Sequence, residues 1–98
     1  MIDLENKHLE LVKAILRRHL THYEVYAFGS RVTNRARKYS DLDLVIRGER
    51  AIEWQTLENI KDDLSFSNLP ILIDVMDWNK LSESFLAAIT NELEKLPI

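Results

Sequence analysis

A glycine-serine pair and a two-carboxylate motif constrain this chain more than any other feature of its sequence. The Gly-Ser pair at 29–30 follows the apolar run 25–28, and after ten intervening residues the Asp-Leu-Asp triplet at 41–43 precedes another apolar run, 44–46. Short apolar runs bounded by turn-forming residues are typical of buried strands. The pattern predicts a strand, a tight turn, a short connection and a second strand that opens with two carboxylates.

The rest of the chain alternates helical and extended patterns. Apolar residues at three- and four-residue spacing predict helices over 4–20, over 51–66 and from 81 onward, and the run 71–76 predicts a third strand. The polar segment 29–39 has room for a turn and a short helix. Because nearly continuous apolar strands are typical of covered sheets, we predict an α/β (α+β) fold. Its core is a small mixed β-sheet packed by helices on one face.

Length and composition favour one compact domain over residues 1–98. The chain is 46% hydrophobic and 30% charged, with two glycines and two prolines, which leaves little sequence for linkers. A domain of this size holds one core, so we expect no second lobe for a large acceptor and a dependence on a partner. Cysteine is absent, which excludes disulfides and cysteine zinc sites.

Nothing in the sequence predicts export or a membrane span. The first five residues include two acids and lack the basic start and long apolar stretch of a signal peptide. No apolar run approaches the roughly 20 residues that cross a bilayer. We therefore expect a cytoplasmic protein without membrane contact.

Basic residues are concentrated next to the Gly-Ser pair, although the formal net charge is -3. That net charge argues against direct nucleic-acid binding, which needs clustered cations. Arg31, Arg35, Arg37 and Lys38 all lie between the two motifs, and such a segment suits a triphosphate better than a duplex. For Arg31 we weigh a triphosphate contact equally with an exposed position after a turn. The other three are interpreted as a solvated face.

Three aspartates are candidates for metal binding. Asp41 and Asp43 are two apart on a strand and therefore project from the same face. Asp74 lies inside an apolar run, where an unpaired charge is costly unless it faces a cleft. Carboxylates held this close repel one another unless a cation lies between them, and Mg²⁺ binds carboxylates together with substrate phosphates. The pair at 41 and 43 alone would also fit a solvated strand edge; Asp74 favours a two-metal site.

Other polar and aromatic residues allow simpler interpretations. Gly29 and Ser30 can hold a phosphate through backbone and hydroxyl donors, although Gly-Ser also ends many ordinary strands. Asp77 competes with Asp74 as the third acid, but an aspartate just before a helix is usually a cap. We interpret Trp54 and Trp78 as core or interface aromatics, and we predict no zinc site from the histidine pair at 19 and 22.

The two motifs together resemble the signature of the minimal nucleotidyltransferases, or MNT domains, of the DNA polymerase beta-like superfamily. Segments 27–32 and 39–44 strengthen the resemblance, which covers most of the chain and includes 72–74 as the position of the third acid. The three-acid pattern is complete. The resemblance implies the nucleotidyltransferase fold of the polymerase beta palm in its minimal form, without the extra domains of larger relatives such as aminoglycoside nucleotidyltransferases.

The resemblance also implies an activity and a set of roles. Members use Mg²⁺ to transfer a nucleoside monophosphate from a nucleoside triphosphate to a hydroxyl group, and they release pyrophosphate. For this chain we expect the transfer of AMP from ATP. Two Mg²⁺ ions are expected, for which Mn²⁺ can substitute. By position, Asp41, Asp43 and Asp74 are the metal ligands and catalytic residues, and Gly29, Ser30 and Arg31 bind the nucleotide.

Many minimal members are similar to antitoxins encoded beside an all-helical HEPN toxin, which some of them adenylylate on tyrosine. The resemblance therefore implies a HEPN-type partner, within a homo- or hetero-oligomer. Two alternatives stay open. One is a small-molecule nucleotidyltransferase of the aminoglycoside type, and the other is a non-catalytic antitoxin that blocks its partner sterically.

Overall fold

A computed structural model describes residues 2–98, which form a four-stranded sheet with helices on both faces. The strands are β1 (Glu24–Phe28), β2 (Leu42–Arg47), β3 (Ile73–Asp77) and β4 (Glu94–Leu96). The α-helices are α1 (Asn6–His19), α2 (Trp54–Ser65) and α3 (Glu83–Ile89), and short 3-10 turns occupy Trp78–Lys80 and Thr90–Glu92. The predicted fold class, a small mixed sheet packed by helices, is confirmed.

The sheet has the strand order β3-β2-β1-β4. β1 is antiparallel to both of its neighbours, whereas β2 and β3 are parallel. A parallel pair requires a crossover connection, and α2 supplies it. This arrangement places the start of β2 beside the start of β3, and both lie close to the turn at the end of β1.

The main core lies between the sheet and the first two helices. Each of these helices presents one apolar stripe, with Val12, Ile15 and Leu16 buried in α1 and Leu57, Ile60 and Leu64 buried in α2. The stripes pack on alternate residues of the sheet, among them Val25, Leu42, Leu44, Ile46 and Val75. A hydrogen bond between the His19 imidazole and the Asp63 carboxylate also joins the two helices. His19 therefore has a structural partner.

A second, smaller cluster lies on the opposite face of the sheet. Phe28, Val45 and Ile89 are buried there, and the rings of Phe28 and Phe85 meet edge-on with centroids 6.0 Å apart. Helix α3 covers this face, and the Ser82 hydroxyl caps its start by accepting from the Phe85 N–H at 3.1 Å. The expectation of helices on one face only is therefore wrong.

The end of the chain departs from the predicted closing helix. The helix stops at Ile89, and β4 follows and pairs with the outer edge of β1, with Val25 opposite Leu96. Leu93 and Leu96 are three apart, a spacing that fits a helix. The chain forms a strand here instead of continuing the helix because strand pairing satisfies backbone groups along the edge of β1 and buries Leu96.

Two smaller differences concern segment boundaries. The third strand runs from Ile73 to Asp77 instead of 71–76, and Leu72 before it is 71% exposed. The segment 29–39 forms a turn without the short helix, and Asn34 at φ 60° ends that turn. A left-handed residue is incompatible with the continuation of a right-handed helix. Within residues 2–98, no helix is both long and apolar enough to cross a membrane.

Candidate active site

The Gly-Ser turn lies directly against the second motif. Phe28, the last residue of β1, is in register with Asp43 in β2, so Gly29 follows beside that carboxylate. Gly29 has a φ of 82°, and a Cβ added there would lie 2.5 Å from Asp43 Oδ2. Only glycine combines this backbone conformation with so close an approach. The main chain of the turn and the Asp43 carboxylate therefore form one site.

The first and third predicted acids join Asp43 at the same end of the sheet. Asp43 and Asp74 are paired in register across the parallel strands, and Asp41 immediately precedes β2. Burial and, to a smaller extent, the nearby negative charges of Asp74, Asp41 and Glu92 together raise the pKa of Asp43 to about 6. The structure thus brings the three predicted carboxylates together.

These carboxylates suit a divalent cation by their chemistry. All of their donor atoms are oxygens, the ligand type that Mg²⁺ prefers, and their mutual repulsion is what a bound cation relieves. Among residues 2–98, no three or more histidine, cysteine, aspartate or glutamate side chains are grouped so that together they could hold a metal ion. In nucleotide-binding enzymes Mg²⁺ is bound through one or two carboxylates together with substrate phosphates, and Asp43 and Asp74 are two carboxylates paired in register.

Backbone hydrogen bonds hold the turn after Gly29. The Val32 N–H and the Thr33 hydroxyl donate to the Gly29 carbonyl at 3.1 and 3.0 Å, and the Arg35 N–H donates to the Ser30 carbonyl at 3.1 Å. Ser30 is partly exposed at the start of this turn. Its role in phosphate binding stays a prediction.

Arg31 has a structural role that the sequence did not predict. It is only 6% exposed, and its guanidinium donates to four backbone carbonyls. These belong to Asp3 at 2.6 Å, Ser40 at 3.0 Å, Lys38 at 3.2 Å and Arg37 at 3.3 Å. The residue fixes the segment that leads into Asp41. Four of its five N–H donors are thus used within the protein, and this geometry gives the predicted nucleotide contact no support.

Asp74 and Asp77, the two candidates for the third acid, lie on opposite faces of the sheet. Residues three apart on a strand face opposite sides of the sheet. Asp77 is 4% exposed, and its carboxylate accepts from the Ile52 N–H at 2.8 Å and the Asn79 N–H at 3.0 Å. Asp77 is thus a buried cap, as its position predicts, and Asp74 is the acid that faces Asp43.

The two tryptophans differ from each other. Trp78 is partly buried in the second apolar cluster, and the Arg47 guanidinium lies 4.7 Å from its ring centre. Trp54 is 67% exposed at the start of α2, so it is not a core residue.

Glu92 is a site residue that sequence reasoning missed. Its Oε1 accepts the Gly29 N–H at 2.9 Å, and its charge contributes to the raised pKa of Asp43. Residue 92 falls inside the predicted closing helix, and no motif in the sequence marks it. Glu92 lies in the 3-10 turn just before β4, and the pairing of β4 with β1 places it beside Gly29.

Residues 10–96 match the family described as Polymerase beta, Nucleotidyltransferase. The chain belongs to this nucleotidyltransferase family. It is also 42% identical over 84 residues to the "Probable protein adenylyltransferase MntA" of Haemophilus influenzae, an alignment that covers 86% of this chain and 74% of that protein. The resemblance drawn from the two motifs is confirmed.

Solved structures share the fold of this nucleotidyltransferase. A crystal structure of a toxin–antitoxin with AMP-PNP superposes with a TM-score of 0.75 at 18% identity, over 95% of this chain and 73% of the other. A tri-AMPylated Shewanella oneidensis HEPN toxin in complex with MNT antitoxin gives 0.71 at 17% identity, over 96% and 72%. At these identities the likeness shows a common fold.

Proposed function

We propose that this nucleotidyltransferase is a Mg²⁺-dependent cytoplasmic protein adenylyltransferase. It transfers AMP from ATP to a tyrosine hydroxyl of a HEPN-type partner toxin and so acts as the antitoxin. The observation that carries the proposal is the meeting of Asp43, Asp74 and the Gly29 backbone at one end of the sheet. The relation to an MntA adenylyltransferase supports the choice of reaction and of donor nucleotide.

Each residue of the site has a distinct role in this proposal. Asp41, Asp43 and Asp74 hold Mg²⁺, which when bound offsets the negative charge of the triphosphate and of the leaving pyrophosphate. The Gly29 amide and the Ser30 hydroxyl donate to phosphate oxygens and orient the triphosphate chain. Transfer requires the acceptor oxygen in line with the α-phosphate. By orienting the triphosphate, the turn fixes the direction from which the acceptor must approach.

Asp74 has a second role toward the acceptor. It is exposed on β3 and stands across from Asp43, so an incoming hydroxyl can reach it from solvent. The acceptor oxygen forms a bond with the α-phosphorus, the bond from that phosphorus to the bridging oxygen breaks, and pyrophosphate leaves. Asp74 takes the proton of the hydroxyl.

A surface beside the carboxylates supports a protein as the acceptor. Asp41 lines an open groove of about 330 Å³ together with Tyr39 and Leu72, whose side chains are 69% and 71% exposed. Large exposed apolar side chains next to a reactive site are typical of a surface that meets another protein. The similar structures described as toxin–antitoxin complexes point to a HEPN toxin as that protein.

Intact-protein mass spectrometry tests the proposal directly. The domain is incubated with the helical protein encoded beside it, ATP and Mg²⁺, and the partner should gain the mass of one or more AMP groups. Asp43→Asn should abolish the gain, whereas Asp62→Asn, an exposed acid on α2, should not. A partner that binds tightly yet never gains this mass, with Mn²⁺ or with other nucleotides, would establish the steric antitoxin instead. AMP transfer to an aminoglycoside would establish the small-molecule enzyme.

A further inference from the structure

Glu92 accepts a hydrogen bond from a backbone N–H that the triphosphate needs as a donor. Its carboxylate accepts the Gly29 N–H at 2.9 Å, in a partly buried setting at the start of the Gly-Ser turn. Carboxylate and phosphate oxygens are both anionic acceptors and both form strong bonds with a backbone amide. One N–H cannot serve both at full strength. The contact seen in the structure therefore excludes the one assigned to the nucleotide.

The charge of Glu92 acts in the same direction as its hydrogen bond. Glu92 belongs to the group of acids close enough to Asp43 to raise its pKa. The carboxylate of Glu92 lies beside Gly29, on the opposite side of Asp43 from Asp74. A triphosphate that enters the site therefore meets an additional negative charge there. Like charges at short range in a partly buried site repel strongly.

The position of Glu92 in the chain allows it to leave. It is the last residue of the 3-10 turn Thr90–Glu92, and β4 begins two residues later at Glu94. The backbone is anchored on both sides, by α3 before the turn and by pairing with β1 after it. Departure of the carboxylate thus needs only a change of side-chain rotamer, without movement of the sheet.

We propose that Glu92 is a built-in competitor of the nucleotide, which caps the Gly29 amide in the free enzyme and must swing away before a triphosphate binds. The inference rests on the proposed function, because it takes the Gly-Ser turn as the phosphate site. Glu92 then lowers the affinity for ATP and sets the nucleotide concentration at which the enzyme becomes active. It contributes nothing to the bond-making step.

Calorimetric titration with AMP-PNP in the presence of Mg²⁺ tests the inference on the whole chain. Glu92→Ala removes both the competing acceptor and its charge, and should tighten binding about tenfold relative to the unmodified protein. Glu92→Gln keeps an oxygen acceptor but loses the charge, so its gain should be smaller. Glu83→Gln, which alters an exposed acid at the start of α3, should bind as the unmodified protein does.

The transfer reaction gives a second readout. The KM for ATP should fall in both Glu92 variants, whereas a role of Glu92 as a base or metal ligand would lower kcat. Unchanged or weaker AMP-PNP binding in a folded Glu92→Ala variant overturns the inference. If that variant does not fold, as judged by circular dichroism, Glu92→Gln decides by the same criterion. If neither the unmodified protein nor any variant binds a triphosphate, the proposed function itself fails and the inference with it.

Discussion

The two faces of strand β2 carry different kinds of residue. On one face Leu42, Leu44 and Ile46 are completely buried against α1 and α2. On the other face Asp43 stands between the Gly29 backbone and Asp74, and is only partly buried. A strand alternates its side chains between faces at every residue, so neighbours in sequence have unrelated environments.

The contrast teaches that stability and chemistry are separable in this small domain. The apolar face contributes the burial that holds the sheet to its helices. The opposite face also buries Val45 in the second apolar cluster, but its acids oppose folding, because burial and neighbouring charges disfavour the ionised form of Asp43. Substitutions at adjacent positions of β2 should therefore have opposite consequences.

Asp43→Asn should reduce AMP transfer to background while leaving the fold intact. The substitution removes a central carboxylate from the site and also relieves repulsion with Asp74 and Asp41. The melting temperature without metal should stay the same or rise slightly. Activity and thermal unfolding are measured on the same preparation. An unfolded variant would show that Asp43 is structural and that the two faces are not separable.

Leu44→Ala should destabilise the domain by about 2–5 kcal/mol, the usual cost of truncating a fully buried leucine. Leu44 is completely buried, whereas Leu72 is 71% exposed, so Leu72→Ala is the matched control. That control should change stability by no more than about 0.5 kcal/mol. Urea unfolding of both variants measures the difference. Equal losses would contradict the assignment of the core to this face.

Divalent metal with nucleotide should stabilise the protein through the acidic face alone. A ligand that binds only the folded state adds about 2.7 kcal/mol at a concentration one hundred times its Kd. Thermal unfolding with Mn²⁺ and AMP-PNP should show an upward shift that a chelator reverses. Asp41→Asn should reduce the shift and Asp62→Asn should not. A shift of equal size in both variants would place the metal elsewhere.

The stability of the metal-free protein should depend on pH through Asp43. Its pKa in the folded protein is raised to about 6, above its value in the unfolded chain, so the folded state binds this proton more tightly. The stabilisation from protonated Asp43 is therefore fully present below the unfolded pKa of 3.8 and is lost as the pH rises to about 6. Asp43→Asn lacks this dependence. It should be the more stable protein near pH 8, and the gap should narrow below about pH 6 and close only near pH 4. A gap that is constant over this range would contradict the crowding of acids at the site.

Local pattern predicted most of the fold and the acids of the site. Apolar runs and helical spacing located α1, β1, β2 and α2, because each of these elements buries one continuous face. The Asp-Leu-Asp triplet and the acid inside the third apolar run placed Asp41, Asp43 and Asp74 without knowledge of the register. Alternation along a strand puts Asp41 and Asp43 on one face, whereas the approach of Asp74 depends on the register of β2 with β3, which the sequence does not display.

What the sequence did not reveal depends on contacts between distant segments. The strand β4 exists because the edge of β1 is available to it, and its own three residues carry no strand pattern. Glu92 reaches Gly29 only as a result of that pairing. Arg31 is similar, since its guanidinium binds carbonyls from two separate stretches of backbone, at Asp3 and in the segment 37–40, that no local motif connects. The sequence left a nucleotide contact and an exposed position equally open for Arg31, and did not reveal this structural role.

The pairing of Val25 with Leu96 also affects how the domain is made on the ribosome. Every residue of β1 leaves the ribosome long before its outer neighbour exists, so one side of the strand carries unsatisfied backbone groups during most of synthesis. Contacts so distant in sequence form late and slow folding. The nascent domain is consequently open to association through this edge until residues 94–96 have been added. Chaperones or rapid partner binding would matter most in that interval.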